Sequence, residues 1–431
     1  MSEWKKVKIG DICKIVKGTT GIASAEPGQY PLVVTAEERK TCSTYQFDCE
    51  AVCIPLVSSS GHGKKSLKNV HYQSGKFALG TILCAVIPNN PQELDARYLH
   101  QYLQFYKDII LVPLMKGAAN VSLSMKDIAT VEFPLPPIER QRELSNLFVS
   151  LQEKQKELST EYEKQTEYAK LLRQNILQQA IEGKLTADWR KQNPVQKGNP
   201  DYDAEALFEQ IQKERNSEKK HKGLSLITEK EKPFGLPDGW KWVRLGEICD
   251  GFMYGTSHKS VPSGKCPVLR MGNIQDGKID WEKLVYTNDS EEIEKYKLRK
   301  FDLLFNRTNS REMVGKTAIF ESEETAIYAG YLVRFHPIIA NSYFINIILN
   351  SKTHREWCNS VKTDALGQSN INAEKLKNFV APLPPLKEQE EIVNKVETLL
   401  SKVTTLENQI QDRKLLSDKL IFGIIKENLE G

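Results

Sequence analysis

Two stretches of this chain carry the same long pattern of apolar and polar positions. Between Ile138 and Ile181 there is no proline or glycine. Leu144, Phe148, Leu151, Gln155, Leu158, Tyr162, Gln165, Ala169, Leu172 and Ile176 recur there at alternating steps of four and three. That spacing predicts one long helix with a coiled-coil seam, interrupted by the polar Gln155 and Gln165. About 44 residues of helix extend roughly 65 Å, and Gly183 stands where a helix-stopping glycine belongs. The last part of the chain repeats the plan, with an uninterrupted seam of Ile392, Val396, Leu399, Val403, Leu406 and Ile410. Each helix follows the same rigid lead. Pro134-Leu135-Pro136-Pro137 runs into Ile138-Glu139-Arg140-Gln141, and Pro382-Leu383-Pro384-Pro385 runs into Leu386-Lys387-Glu388-Gln389.

The region ahead of each lead has shorter periods. Trp4–Cys13, Tyr30–Thr35, Ala51–Val57 and Gly80–Ile87 read as strands, and Ala96–Ile110 as a helix. After a turn-rich connector (Leu185–Pro200) and a charged helix (Ala204–Lys222, ending in Lys219-Lys220-His221-Lys222), the pattern restarts. Trp240–Cys249 matches Trp4–Cys13 at an offset of 236 residues, whereas the proline leads match at 248, so the second globular region is about 12 residues longer. Val268–Met271, Leu303–Asn306, Thr317–Phe320 and Ala329–Phe335 read as its strands, and Ser342–Ser351 as its helix. Gln368-Ser369-Asn370-Ile371-Asn372 stands where Asn120-Val121-Ser122-Leu123-Ser124 stood. Lys414-Leu415-Leu416 matches Lys170-Leu171-Leu172 at 244, one four-residue step short. The chain is a tandem repeat of mixed α/β domain plus long helix. The helices, similar but not identical, suit an intramolecular antiparallel pair, with Gln155 and Gln165 facing Val403 and its surroundings.

Composition adds bounds. A chain of 431 residues exceeds one ordinary core. The net charge of +4 permits an anionic partner without indicating one. No apolar run approaches the roughly 18 residues needed to span a bilayer, and the N-terminus lacks a signal-peptide core. Eight cysteines in such a chain read as buried thiols. A cytoplasmic location without a membrane partner is the expectation.

Candidate chemistry is confined to basic, polar loops. Gly61-His62-Gly63-Lys64-Lys65-Ser66 fails the phosphate-loop pattern, because Ser58 replaces its first glycine and Lys65 its hydroxyl. As a glycine-flanked basic loop it suits DNA phosphates, with Ser59, Ser60, His62, Lys64, Lys65 and Lys68 as the candidates. In the second domain Asn306, Arg307, Asn309 and Arg311 follow a strand, and asparagine suits adenine as arginine suits guanine or phosphate. Lys316 follows them, and Arg270 with Asn273 forms a further candidate. For all of these a solvated turn is the plain alternative. Cys42, Cys49 and Cys53 with His71 lack zinc-site spacing. No hydrolase or methyltransferase signature is evident, and neither catalytic, metal nor cofactor residues are expected.

The order of these elements resembles the specificity subunits of type I restriction-modification systems. Four features carry the resemblance: the two leads Pro134–Gln141 and Pro382–Gln389, the connector Ala180–Thr186 with Asp188-Trp189-Arg190, and Leu236-Pro237-Asp238-Gly239-Trp240 opening the second copy. The resemblance implies an α+β fold with target recognition domains at 1–136 and 236–384. Coiled-coil spacer helices would lie at 137–184 and 385–431, around a connector at 185–235. It implies a non-catalytic subunit that reads a split, asymmetric sequence in double-stranded DNA. Two DNA methyltransferase subunits and the restriction subunits would assemble on it, bringing S-adenosylmethionine, ATP and magnesium. A coiled-coil adaptor without DNA specificity is the alternative.

Overall fold

Both proline leads build the same joint. Glu132–Pro134 pairs antiparallel with Lys6–Lys8, and Val380–Leu383 with Lys241–Arg244, so each lead starts as a strand. Proline has no N–H to offer a ladder and no helical bond to lose in a first turn. The chain therefore leaves the strand and enters helix within a few residues. The helices span Ile138–Ile181 and Leu386–Glu430.

A buried glutamine fixes the joint in each copy. Gln141 is fully buried. Its amide N–H groups donate to the carbonyls of Pro136 (2.8 Å) and Glu93 (2.9 Å), and its Oε1 accepts from the Asp95 backbone N–H at 2.9 Å. Asp95 caps helix Ala96–Ile110. Gln389, also fully buried, donates to Pro384 O at 2.8 Å and accepts from the Asn341 N–H at 2.8 Å. Asn341 caps helix Ser342–Leu349. The shared glutamine thus ties the long helix, the lead and the cap of a core helix together.

The computed structural model describes residues 4–60, 63–218, 224–365 and 367–430. The charged run Lys219–Lys222 and the loop residue His62 lie outside the described residues. The chain divides into two compact units, Met1–Glu163 with Gln411–Gly431 and Lys164–Ile410.

Among the described residues, the first unit orders strands Cys13–Lys17, Leu83–Pro88, Ala51–Pro55 and His71–Gln73 in an antiparallel sheet. A second sheet holds Lys40–Cys42, Tyr30–Val33, Lys76–Leu79 and Phe47–Asp48. The second unit repeats the first sheet as Cys249–Tyr254, Leu332–Pro337, Leu303–Asn306 and Thr317–Ile319. The long helices share these cores. Leu144 and Phe148 pack with Ile54, Val86, Leu99 and Phe133 in the first unit, and Ile392 and Val396 with Phe305, Phe335 and Phe344 in the second. Each such apolar side chain contributes about 1.5–3 kcal/mol on burial.

In each unit the two helices run antiparallel. In the first, Arg140 donates to Asn428 (3.1 Å), Gln155 to Asp418 (3.0 Å), and Tyr162 shares a hydrogen bond with Ser417 (2.7 Å). In the second, Arg173 forms a bidentate pair with Glu407 at 2.9 and 2.6 Å. Gln155 therefore meets Asp418 rather than Val403. Leu172 and Leu406, expected in the seam, are instead exposed. A straight helix drifts relative to a 3.5-residue repeat, and the Arg173–Glu407 pair takes the neighbouring positions.

Three further expectations change. The first apolar run is not one strand: Lys6–Lys8 is strand, Ile9–Ile12 forms a helical turn, and Cys13 begins the next strand. Gly10 permits that turn to sit against Ala129, whose Cβ is 2.9 Å from where a Gly10 Cβ would stand. Helix Ser342–Leu349 stops early, and Ser351 caps a second helix, Lys352–Val361. The connector contains helix Ala187–Gln192. Thr186 (2.6 Å), Arg190 and Trp240 (2.7 Å) all donate to the buried carboxylate of Glu388.

The joint is testable. Gln389→Leu keeps the volume but leaves the buried Pro384 carbonyl without a partner, at about 1–3 kcal/mol, and the half-buried Asn341 N–H without its acceptor, at a smaller cost. The guanidinium midpoint of the second unit should fall correspondingly, whereas an unchanged midpoint would show that the glutamine only fills space.

Candidate nucleic-acid interface

The candidate loops lie on a ribbon that both units build. In the first unit the chain leaves strand Ala51–Pro55, and Val57 pairs antiparallel with Ser122, which pairs in turn with Lys116. Reciprocal backbone bonds of 2.8 Å join Lys116 and Ser122. In the second unit the chain leaves Leu303–Asn306, and Thr308 pairs with Asn370, which pairs with Thr363. The anchors match too: Leu123 N–H donates to Leu56 O, and Ile371 N–H to Arg307 O, both at 2.9 Å.

In the first unit, Ser59, Ser60, Lys64, Lys65 and Lys68 are all exposed. Ser59 Oγ accepts from the Lys68 N–H at 2.9 Å, and the Ser60 and Ser66 hydroxyls share a bond of 2.7 Å. Lys65 Nζ donates to Pro113 O at 3.5 Å. The serines thus shape the loop, while its lysines point outward. Gly63 (φ +74°) lets the loop close on the Ala118 carbonyl, where a Cβ would collide.

In the second unit the candidates separate. Arg307 is half-buried: its guanidinium lies 4.5 Å from the Tyr254 ring centroid, and Nη1 donates to Gly330 O at 3.3 Å. Asn309 Oδ1 accepts from the Ser310 N–H at 2.8 Å. Arg311 is exposed and paired with Asp364 at 2.7 Å. Lys316 donates to Gln275 at 2.9 Å. Arg270 is exposed, with one bond to Lys283 O at 3.3 Å.

Two candidates are corrected. Asn273 is buried: it accepts from the Arg270 N–H and donates to the carbonyls of Asp280 and Glu282, so its amide shapes a turn. Asn306 is fully buried in its strand, and neither amide atom has a partner among the described residues. The strand Leu303–Asn306 is buried on both faces, so its side chain is enclosed whichever way it points, and no base edge reaches it there.

The model of the type I restriction modification DNA specificity domain matches residues 1–168 and 237–413, one match for each repeat. The chain belongs to this family. The specificity subunit of the type I restriction enzyme EcoKI from Escherichia coli K12 is 26% identical over 324 residues, covering 74% of this chain and 61% of that protein. Thus the chain spans about three-fifths of the length of that relative. The EcoDI specificity subunit from Escherichia coli is 23% identical over 434 residues, covering 100% of this chain and 88% of its own. Two solved structures share the fold. One, from work on complex assembly and conformational transition of the type I R-M system, has a TM-score of 0.66 at 17% identity, covering 99% of this chain and 98% of its own. The other, the HsdS subunit from Thermoanaerobacter tengcongensis, has a TM-score of 0.55 at 16% identity, covering 99% and 97%. Among the described residues no helix is long and apolar enough to cross a membrane.

In this member of the specificity-domain family, the ribbon shows what sequence reasoning missed. Lys116, Tyr254 and Tyr331 are exposed beside the candidate loops. The matching of Asn120–Ser124 with Gln368–Asn372 carried the signal, but only the pairing of Ser122 with Val57 and of Asn370 with Thr308 joins those segments to the loops.

The second loop rests on a buried histidine. Gly315 (φ +90°) closes the loop where a Cβ would strike the Cys358 sulfur, and Arg355 donates to Val314 O at 2.8 Å. His354 is buried beneath, packed edge-on to Phe305 and Phe379, and burial pushes its pKa down to about 3. Burial, and then the nearby Arg39, lowers His71 of the first unit to about 4. As pH falls, the unfolded chain protonates these histidines first, near their ordinary 6.5. The folded state binds those protons only at lower pH, so stability present above about pH 6.5 is lost towards pH 4. Denaturant midpoints should drop between pH 7.5 and 5, and a level profile would refute the buried neutral state.

Proposed function

We propose that this chain is the DNA-reading subunit of a type I restriction-modification complex. The observation that carries the reading is the duplicated ribbon. One chain, both of whose repeats match the specificity-domain model, presents the same loop-bearing ribbon twice. In this reading the recognition domains of residues 1–136 and 236–384 each read one half of a split, asymmetric sequence in double-stranded DNA. Lys64, Lys65 and Lys68 of the first domain, and Arg270, Arg307, Arg311 and Lys316 of the second, supply phosphate and base contacts.

The subunit performs no chemistry of its own. Two DNA methyltransferase subunits and the restriction subunits assemble on the helices of residues 137–184 and 385–431, in the cytoplasm. Adenine methylation and cleavage, with S-adenosylmethionine, ATP and magnesium, belong to those partners. The relatives are named specificity subunits of restriction enzymes, which supports the division of labour.

The helices act as a ruler between the two half-sequences. One helical turn is about 5.4 Å and a base pair about 3.4 Å, so a turn corresponds to between one and two base pairs. Removing one turn from both helices should shorten the unread gap and leave both half-sequences intact. Genome methylation mapping reads this, and altered half-sequences with an unchanged gap would refute the ruler. A salt-titrated DNA-binding assay, with and without the methyltransferase partners, tests the reading itself. Absence of sequence-specific binding in both preparations would remove it.

A further inference from the structure

The ribbons end in tips that the basic loops do not include. In the first unit the tip is the turn between Lys116 and Ser122. Its residues 116–120 are all exposed, and Gly117 (φ +123°) folds it so closely that a Cβ would collide with the Asn120 carbonyl. In the second unit the tip joins Thr363–Ala365 to Gln368–Asn370. The two tips differ in sequence and length, yet each carries one exposed amide at the same place. Asn120 lies two residues before Ser122, the residue paired with Val57. Gln368 lies two residues before Asn370, the residue paired with Thr308. They stand 248 residues apart, as Gln141 and Gln389 do. Both are exposed, and neither side chain has a hydrogen bond among the described residues.

Resting on the DNA-reading function, we infer that Asn120 and Gln368 are specificity-determining residues, each recognising an adenine in its own half-sequence. Three arguments support this. At its tip each ribbon narrows to a two-segment turn, a shape that fits the major groove, and there an asparagine or glutamine amide matches adenine, accepting from N6 and donating to N7. The amide is not needed for the fold at either position, in contrast with the buried Asn273, whose amide is committed to three backbone groups. Finally, an ion-paired cation at the surface flanks each tip: Lys116, 77% exposed and paired with Asp127 at 3.2 Å, in the first, and Arg311, paired with Asp364 on the tip strand itself, in the second. Such cations hold a ribbon to phosphate while its tip reads bases.

The test uses the full chain expressed with its methyltransferase subunits in a host without other adenine methylation, the methylated motif being read by single-molecule sequencing. Asn120→Ala should relax one adenine position in one half-sequence, with a loss of discrimination of about 5- to 150-fold, and leave the other half unchanged. Gln368→Ala should do the same in the other half only. Asn120→Asp, which keeps the size and removes the donor, should move that position towards cytosine. A motif unchanged in all three variants overturns the inference, as does methylation weakened uniformly with no change of motif, which marks a phosphate contact. If the unsubstituted chain directs no two-part motif, the DNA-reading function itself fails. A two-part motif that survives every substitution removes the adenine assignment alone.

Discussion

The rest of the structure depends on the buried glutamine at each joint. A long helix projecting from a small sheet domain is under-determined, because a helix can pivot about its first turn without breaking its own backbone bonds. Gln141 and Gln389 remove that freedom. Each bonds at once to the lead before the helix and to the capping residue of a core helix, Asp95 or Asn341. Buried and bonded through both its oxygen and its nitrogen, such an amide has few workable geometries, and misplacing it strands donors and acceptors away from water. The prolines narrow the approach and the glutamine fixes its end point.

The residue just before the glutamine shows how one joint serves two settings. At the first joint it is Arg140, which reaches Asn428. At the second it is Glu388, buried and holding Thr186, Arg190 and Trp240. A buried carboxylate is tolerable only when its oxygens are met by donors, and here three are supplied. The helix pairing is asymmetric in the same way. The first unit carries the polar contacts Gln155–Asp418 and Tyr162–Ser417, whereas the second closes Val396 and Val403 into its core. Arg173–Glu407, about 30% exposed on both sides, adds about 1 kcal/mol or less and contributes register more than stability.

Much of this was legible in sequence. Helices Ala96–Ile110 and Ile138–Ile181 lie where periodicity places them; the first buries a continuous stripe, and the second packs Leu144 and Phe148 at one end and Ala169 and Ile176 towards the other. The repeat was legible because the Pro-Leu-Pro-Pro and glutamine positions coincide at a single offset. Helix Lys352–Val361 was not, since only His354 and Cys358 of it are buried, among polar neighbours that read as loop. Within the candidate site, residue type picked out two asparagines that the fold buries. Asn306 and Asn273 are chemically suited to a base, but a strand covered on both faces encloses the first and a turn takes up the amide of the second. Type alone carries no information about facing.

Facing is where the repeat helps most. If the proposed DNA-reading function holds, two related domains serving different half-sequences keep the parts that position the ribbon and differ in the parts that read. The kept parts are visible here: the strand leaving the sheet, the pairing at Ser122 and Asn370, the anchors from Leu123 and Ile371, and the glutamine joint. The differing parts are the loop lengths, the basic residues and the ribbon tips. An exposed amide that persists at one tip position, while its neighbours change, belongs to neither class by chance of folding, because the fold makes no bond to it. A requirement outside the chain accounts for it most simply, and a base common to both half-sequences is such a requirement.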